Sequence, residues 1–119
     1  MKKLIFLICL LILLLFAVAF KSSVENTFPL FGRLVVLDVG HGFLDPGSIY
    51  KDEYEKDYNL VFAKSLKSVL ENKGASVLMT REGDYDLSSP NTGSRKRSDF
   101  NNRIKLINES EADMYQIGR

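Results

Sequence analysis

The feature that most constrains the fold is a run of four consecutive apolar residues, Leu34 to Leu37, that stops at Asp38. A short continuous apolar run favours a strand that is covered on both faces, as in a parallel sheet. We therefore predict a strand over Arg33–Leu37. The sequence GHGFLDPGS follows shortly afterwards, and its three glycines and one proline predict a loop directly after that strand.

A helix and a second strand are predicted next. Tyr54–Lys73 has apolar residues at helical spacing on one predicted face: Phe62, Leu66, Val69 and Leu70. Gly74 supplies a typical helix stop, and Ala75–Arg81 is predicted to be a strand. A strand, a helix and a strand in this order predict two parallel strands joined by a crossover helix.

The rest of the chain continues the same alternation. Glu82–Ser98 is predicted to be a long polar loop, and Asp99–Ser110 a helix with Ile104 and Ile107 on its buried face. Ala112–Ile117 is predicted to be a third strand. The order β-α-β-α-β predicts an α/β fold, here a partial parallel sheet with covering helices.

An apolar leader precedes this domain. Lys2 and Lys3 are followed by an uninterrupted apolar run from Leu4 to Phe20, which is the pattern of a secretory signal peptide. The run also reaches the lower limit of about 17 residues for spanning a bilayer. Residues 1–20 are therefore predicted to be a cleaved signal peptide or a retained membrane anchor, with the lysines on the cytoplasmic side.

The remaining sequence suffices for one small exported domain. Residues 21–27 are predicted to be a polar spacer, and residues 28–119 the folded part. The only cysteine, Cys9, lies in the leader, so no disulfide is expected in the folded part. The net charge of +1 gives no indication of a nucleic-acid partner, for which a basic domain is expected.

Two residues are candidates for a site at one edge of the sheet. In open parallel sheets, ligands bind at the carboxyl ends of the strands. His41, the only histidine, follows the first strand, and Glu55 lies at the start of the helix that returns from the same edge. We expect these two side chains to approach each other. From the residues alone, the interpretations favoured over a site are a hydrogen-bonded loop histidine for His41 and a solvated carboxylate for Glu55.

A histidine and a carboxylate are typical zinc ligands, but a catalytic zinc normally has three protein ligands. Further oxygen donors nearby in the sequence are Asp38, Asp45, Asp52, Glu53 and Asp57. The residues by themselves do not select a third ligand among them.

Four ordered segments resemble a known family: VVLDVGHGFLDPGS, EKDYNL, GASVLMTRE and RIKLINESEADMY. Together they look like the N-terminal part of the zinc-dependent N-acetylmuramoyl-L-alanine amidases, which hydrolyse bacterial peptidoglycan. TREGDYDL and SRKRSDFNNRIKLIN resemble most closely the germination-specific type. The resemblance covers Leu34 to Tyr115.

The resemblance implies an α/β fold and one Zn2+ ion, with His41 and Glu55 as metal ligands by matching position. It also implies a second histidine after a later strand and a glutamate that acts as the catalytic base, and neither has a counterpart in the 119 residues. Val39 stands where the family usually has proline. The expectation is a C-terminally truncated member whose zinc site is incomplete, with no catalytic base identifiable.

The implied activity is cleavage of the amide between N-acetylmuramic acid and L-alanine of peptidoglycan at the extracytoplasmic face of the membrane or in the cell wall. Arg81, after the second strand, is a candidate substrate-binding residue, although it could equally pair with Glu82 or Asp84. The basic SRKR stretch could steer an anionic substrate or be a solvated loop. The alternative function is a non-catalytic peptidoglycan-binding or regulatory protein of the same fold.

Overall fold

The computed structural model describes residues 1–118. Its elements in chain order are α1 (Lys2–Thr27), β1 (Leu34–Val39), β2 (Ile49–Tyr50), β3 (Glu53–Tyr54), α2 (Glu55–Asn72), β4 (Ser76–Met79), α3 (Arg95–Glu109) and β5 (Met114–Gly118). The predicted β-α-β-α-β order is confirmed by β1, α2, β4, α3 and β5. The short β2–β3 hairpin, inserted between β1 and α2, was not predicted.

The three long strands form a parallel sheet in the order β4-β1-β5. Its register pairs Leu34 with Ser76 on one side and Val35 with Met114 on the other. The central position of β1 explains its continuous apolar run, because a central parallel strand is covered on both faces. β1 ends at Val39, two residues later than predicted, since its last two residues still pair with β5.

The hydrophobic core lies between the sheet and α2. Its buried members are Val35, Leu37, Val39, Ala63, Ala75 and Met79. Val36 points to the opposite face, because side chains alternate along a strand, and it is 0% exposed. On that same face, Asp38 accepts a hydrogen bond from Arg103 of α3. Helices therefore cover both faces of β1.

The inward face of α2 differs from the predicted one. Phe62 and Val69 are 64% and 56% exposed, whereas Ala63 is buried and Leu66 and Leu70 pack against the core. The predicted face included residues on the exposed side of the helix as well as residues on the side that packs against the sheet. The helix turns its smallest apolar residue to the sheet, and a small side chain permits close packing.

The second covering helix also departs from prediction. It begins at Arg95, four residues before the predicted start at Asp99, so that most of the SRKR stretch forms its first turn. The loop was predicted because Glu82–Ser98 is polar and contains Gly83, Pro90 and Gly93. The buried residue is Arg103 rather than the predicted Ile104, which is 41% exposed.

The N-terminal helix is longer than the predicted leader. α1 continues through residues 21–27, so the segment predicted as a polar spacer is helical. None of its residues is buried, and its most apolar window has a mean hydropathy of 3.0. By length and composition α1 could cross a membrane, a test that a signal sequence near the N-terminus also passes.

Candidate metal centre

His41 lies in a tight, strained loop after β1. Its φ is +61°, and the φ of Phe43 is +51°, both in the left-handed region. Such conformations cost about 1–3 kcal/mol each and persist where the surrounding structure enforces them. Reciprocal backbone hydrogen bonds between Gly42 and Asp45, at 2.9 and 3.0 Å, close the loop. The strain marks this loop as a candidate functional element.

Glu55 is held at the first residue of α2 by Ser48. The Glu55 N–H donates to the Ser48 carbonyl at 3.0 Å, and the Ser48 N–H donates to Glu55 Oε2 at 2.8 Å. The bond from the Ser48 N–H is the main reason why the pKa of Glu55 lies below its usual value. One carboxylate oxygen is thus fixed by the backbone, and the other remains for a second partner.

That second partner is His41. His41 Nε2 lies 3.3 Å from Glu55 Oε1, and each side chain is 26% exposed. The approach expected from the sheet topology is therefore present. The β2–β3 hairpin accounts for it, because it returns the chain from the loop to the start of α2 beside the same sheet edge.

Asp45 contacts the other imidazole nitrogen. Asp45 Oδ2 lies 3.1 Å from His41 Nδ1. With the proton on Nδ1, the ring donates to Asp45 and directs the lone pair of Nε2 towards Glu55. Metal-bound histidines commonly donate their second N–H to a carboxylate in this way. Burial alone would raise the pKa of Asp45, but hydrogen bonds from His41 and Lys96 outweigh it and lower that pKa.

Gly47 leaves the space in which these side chains meet. Its φ is +69°, and a Cβ placed there would lie 2.7 Å from both Glu55 Oε2 and His41 Cδ2. Any side chain at this position would have to displace the imidazole or the carboxylate. The glycine in the loop is therefore a requirement of the site as well as of the turn.

The other candidate oxygen donors are not brought to this point. Asp38 accepts hydrogen bonds from Arg103 at 2.9 Å and from Thr80 at 3.0 Å. The remaining three are exposed: Asp52, Glu53 and Asp57. Within residues 1–118, no group of three or more His, Cys, Asp or Glu side chains could hold a metal ion together. His41 Nε2 and Glu55 Oε1 fit two positions of a zinc site.

Arg81, the candidate substrate contact, is only 1% exposed. Its guanidinium donates to four backbone carbonyl oxygens, those of Val39, Gly40, Lys56 and Gly83. The alternative partners considered from the sequence are instead bound by lysines, Glu82 by Lys67 and Asp84 by Lys56. Substrate contact by Arg81 stays a prediction, and its burial disfavours it.

A cleft of about 580 Å³ opens beside the histidine. Its lining includes His41, Leu44, Asp45, Arg95, Lys96 and Phe100. Arg95 stacks over the ring of Phe43 at 4.3 Å and pairs with Asp86. The first turn of α3 thus brings basic side chains to the rim of the cleft. Placing SRKR in a loop, as predicted from the sequence, missed this.

The fold and the site together define an α/β protein with a histidine–carboxylate pair at the carboxyl edge of a parallel sheet, the arrangement in which such folds bind ligands. The family model described as N-acetylmuramoyl-L-alanine amidase matches residues 35–115. The chain belongs to this family, as the resemblance of its motifs indicated.

Individual relatives support the same assignment. The chain is 40% identical to the germination-specific N-acetylmuramoyl-L-alanine amidase of Bacillus subtilis, over 96% of this chain and 52% of the relative. It is 47% identical to the probable cell wall amidase LytH of Staphylococcus aureus, over 53% of this chain and 23% of the relative.

A solved structure of the same family has a similar fold. The CwlD amidase from Clostridioides difficile, determined in complex with the GerS lipoprotein, superposes with a TM-score of 0.67 at 33% identity. The match covers 72% of this chain and 47% of that chain. The present chain thus spans about half the length of the Bacillus subtilis and Clostridioides difficile relatives.

Proposed function

We propose that this chain acts in hydrolysis of the amide bond between the lactyl group of N-acetylmuramic acid and L-alanine in peptidoglycan. Family membership and the names of the relatives support this substrate. The observation that carries the proposal is the 3.3 Å separation of His41 Nε2 and Glu55 Oε1 in a strained loop at the sheet edge.

We propose further that His41 and Glu55 are ligands of one zinc ion. Bound there, zinc supplies Lewis-acid polarisation of a carbonyl and a water of lowered pKa. The chain's own groups prepare the site: the Asp45 carboxylate favours the tautomer with the proton on His41 Nδ1, and the Ser48 N–H fixes one Glu55 oxygen while the other faces the imidazole.

The cleft beside His41 is the proposed place for the substrate. Stem peptides of peptidoglycan carry carboxylates, and Lys96, at the cleft rim, keeps a largely exposed side chain that can meet an anion. Export fits this role, because peptidoglycan lies outside the membrane and α1 has the composition of a signal or anchor helix. We place the domain on the extracytoplasmic face.

Two protein ligands are fewer than the three that a catalytic zinc normally has. We therefore expect the 119-residue chain alone to bind zinc weakly and to leave peptidoglycan intact. The decisive test is a chimera in which this chain is joined to the part of the Bacillus subtilis relative that lies outside the 52% it matches. The assay is zinc-dependent release of stem peptides with a free L-alanine amino group, detected by mass spectrometry.

The chimera is expected to release stem peptides, and H41A and E55Q chimeras are expected to be at least 100-fold slower. E53Q is the matched control, because Glu53 is an exposed carboxylate two residues from Glu55. A folded chimera in which H41A retains full activity would refute the proposed role of His41. Binding of the chain to insoluble peptidoglycan, with a folded but inactive chimera, would favour the non-catalytic alternative.

A further inference from the structure

Two buried arginines converge on the backbone of the loop that carries His41. Arg81 is 1% exposed and Arg103 is 5% exposed. Arg81 donates to the carbonyls of Val39 and Gly40, both at 3.0 Å. Arg103 donates to the carbonyls of Val39 at 2.6 Å and His41 at 2.9 Å. Three consecutive carbonyl groups are therefore fixed by two guanidinium groups from different elements.

Arg81 also connects this loop to the helix that carries Glu55. Its Nη2 atom donates both to the Gly40 carbonyl at 3.0 Å and to the Lys56 carbonyl, in the first turn of α2, at 2.7 Å. Gly40 directly precedes His41, and Lys56 directly follows Glu55. A single nitrogen thus links the neighbours of the two proposed ligands.

The loop sequence makes room for this arginine. Gly42 has a φ of +136°, and a Cβ there would lie 3.2 Å from Arg81 Cδ and Nε. It would also meet the carbonyl oxygen of Tyr85. The glycine after His41 therefore allows the arginine side chain to pass beneath the loop.

The two arginines differ in the partners that offset their charge. Arg103 pairs with Asp38 and Asp99, and these bonds raise its pKa even though burial acts to lower it. The hydrogen-bond partners of Arg81 in residues 1–118 are all backbone carbonyls, and burial lowers its pKa. Burying a cation is costly, and the four carbonyl oxygens that accept from Arg81 offset that cost here.

We propose that Arg81 and Arg103 are positioning residues that set the imidazole of His41 relative to the carboxylate of Glu55. Arg103 holds the strained backbone of His41, whose φ is +61°. Arg81 fixes the distance between the loop and the start of α2. The inference rests on the proposed metal site and adds to it a means by which the apo chain keeps the site geometry.

The single histidine gives a direct test in the full chain, held in detergent micelles. NMR of the imidazole reports one residue, so contacts between the His41 ring and the Glu55 side chain can be followed without metal, and zinc can then be titrated against the same signal. R81Q and R103Q are expected to lose the His41–Glu55 contacts. They should require at least about tenfold more zinc, as is typical when outer partners of a metal ligand are removed.

The matched control is R33Q. Arg33 makes a surface ion pair with Asp113 at the opposite end of β1, at 2.9 Å, so its loss should change neither the contacts nor the zinc midpoint. If R81Q does not fold, R81K replaces it, because lysine keeps the charge but lacks the planar fork that reaches several carbonyls. R81K is expected to show the same loss.

Two failures are distinguishable. If R81Q or R81K is folded and keeps wild-type contacts and the wild-type zinc midpoint, the positioning role is overturned. If instead the wild-type His41 signal does not respond to zinc, the proposed metal site fails. The metal-free contacts between His41 and Glu55 then still decide whether the arginines hold this geometry.

Discussion

His41 Nε2 and Glu55 Oε1 lie 3.3 Å apart, although a loop and a hairpin separate the two residues in the chain. Each side chain has a second contact on its far side, Asp45 for the imidazole and the Ser48 N–H for the carboxylate. The donor atoms that face each other are therefore those left available by these outer bonds. This is the geometry expected under the proposal that both side chains bind one cation.

Replacing Asp45 should disturb the tautomer of His41. In D45N the imidazole loses its carboxylate partner at Nδ1, so the population with the proton on Nε2 should rise. Zinc affinity should fall by about 10–100-fold, as for other outer partners of histidine ligands. Nitrogen chemical shifts of the single imidazole measure the tautomer. D52N, at an exposed aspartate in the hairpin turn, should behave as wild type, and an unchanged tautomer in D45N would contradict the assigned role.

Alanine at position 47 should damage both fold and site. The φ of +69° disfavours any side chain, at a cost of about 1–2 kcal/mol, and the added Cβ would displace Glu55 or His41. G47A should therefore lower the free energy of unfolding in urea and weaken zinc binding. The matched control is G93A, because nothing lies within 4 Å of a Cβ at Gly93. Equal stability of the two variants would show that the space at Gly47 is unimportant.

Acid should destabilise the chain. Five carboxylates have pKa values below the usual range: Asp45, Glu55, Asp84, Asp86 and Asp113. A lowered folded-state pKa means that the unfolded chain takes up protons first. Their contribution is thus complete above the unfolded pKa of about 4 and is lost as pH falls through the lower folded values.

Urea unfolding at pH values between 7 and 3 measures this effect. The urea concentration at the unfolding midpoint should decrease once the pH is below about 4. K56M supplies a comparison, because the hydrogen bond from Lys56 is the main cause of the lowered pKa of Asp84. K56M should lose less stability than wild type over the acid range. A wild-type midpoint that stays constant down to pH 3 would contradict the lowered values.

A pair of valine-to-alanine variants tests which faces are buried. V36A removes methyl groups from a side chain that is 0% exposed and should cost about 1–3 kcal/mol. V69A changes a residue of α2 that is 56% exposed, and its effect should stay within about 0.5 kcal/mol. If V69A cost as much stability as V36A, Val69 would be buried, as the sequence predicted for that face of α2.

The sequence predicted the order of the major elements because β1 is a continuous apolar run and Gly74 ends α2 where a helix stop is needed. It also predicted that His41 and Glu55 would approach each other, because the parallel topology places both residues at the same edge of the sheet. The hairpin between them escaped prediction because strands of two residues are too short for a periodic pattern.

The outer contacts of the site were less accessible to sequence reasoning. Asp45 was one of several candidate oxygen donors, and only the folded loop brings it to His41 Nδ1. Arg81 and Arg103 were missed as buried residues because arginine is almost never fully buried unless paired. A signal for Arg81 was nevertheless present, since a residue directly after a parallel strand lies at the edge where the loop of His41 must also lie.

The most direct test of the account is the zinc affinity of the full chain, measured by competition with a chromogenic chelator for wild type, H41A, E55Q and E53Q. We predict one weak zinc site in wild type, a loss of at least tenfold in both H41A and E55Q, and no change in E53Q. Equal zinc affinity in all four proteins would contradict the claim that His41 and Glu55 together bind the ion.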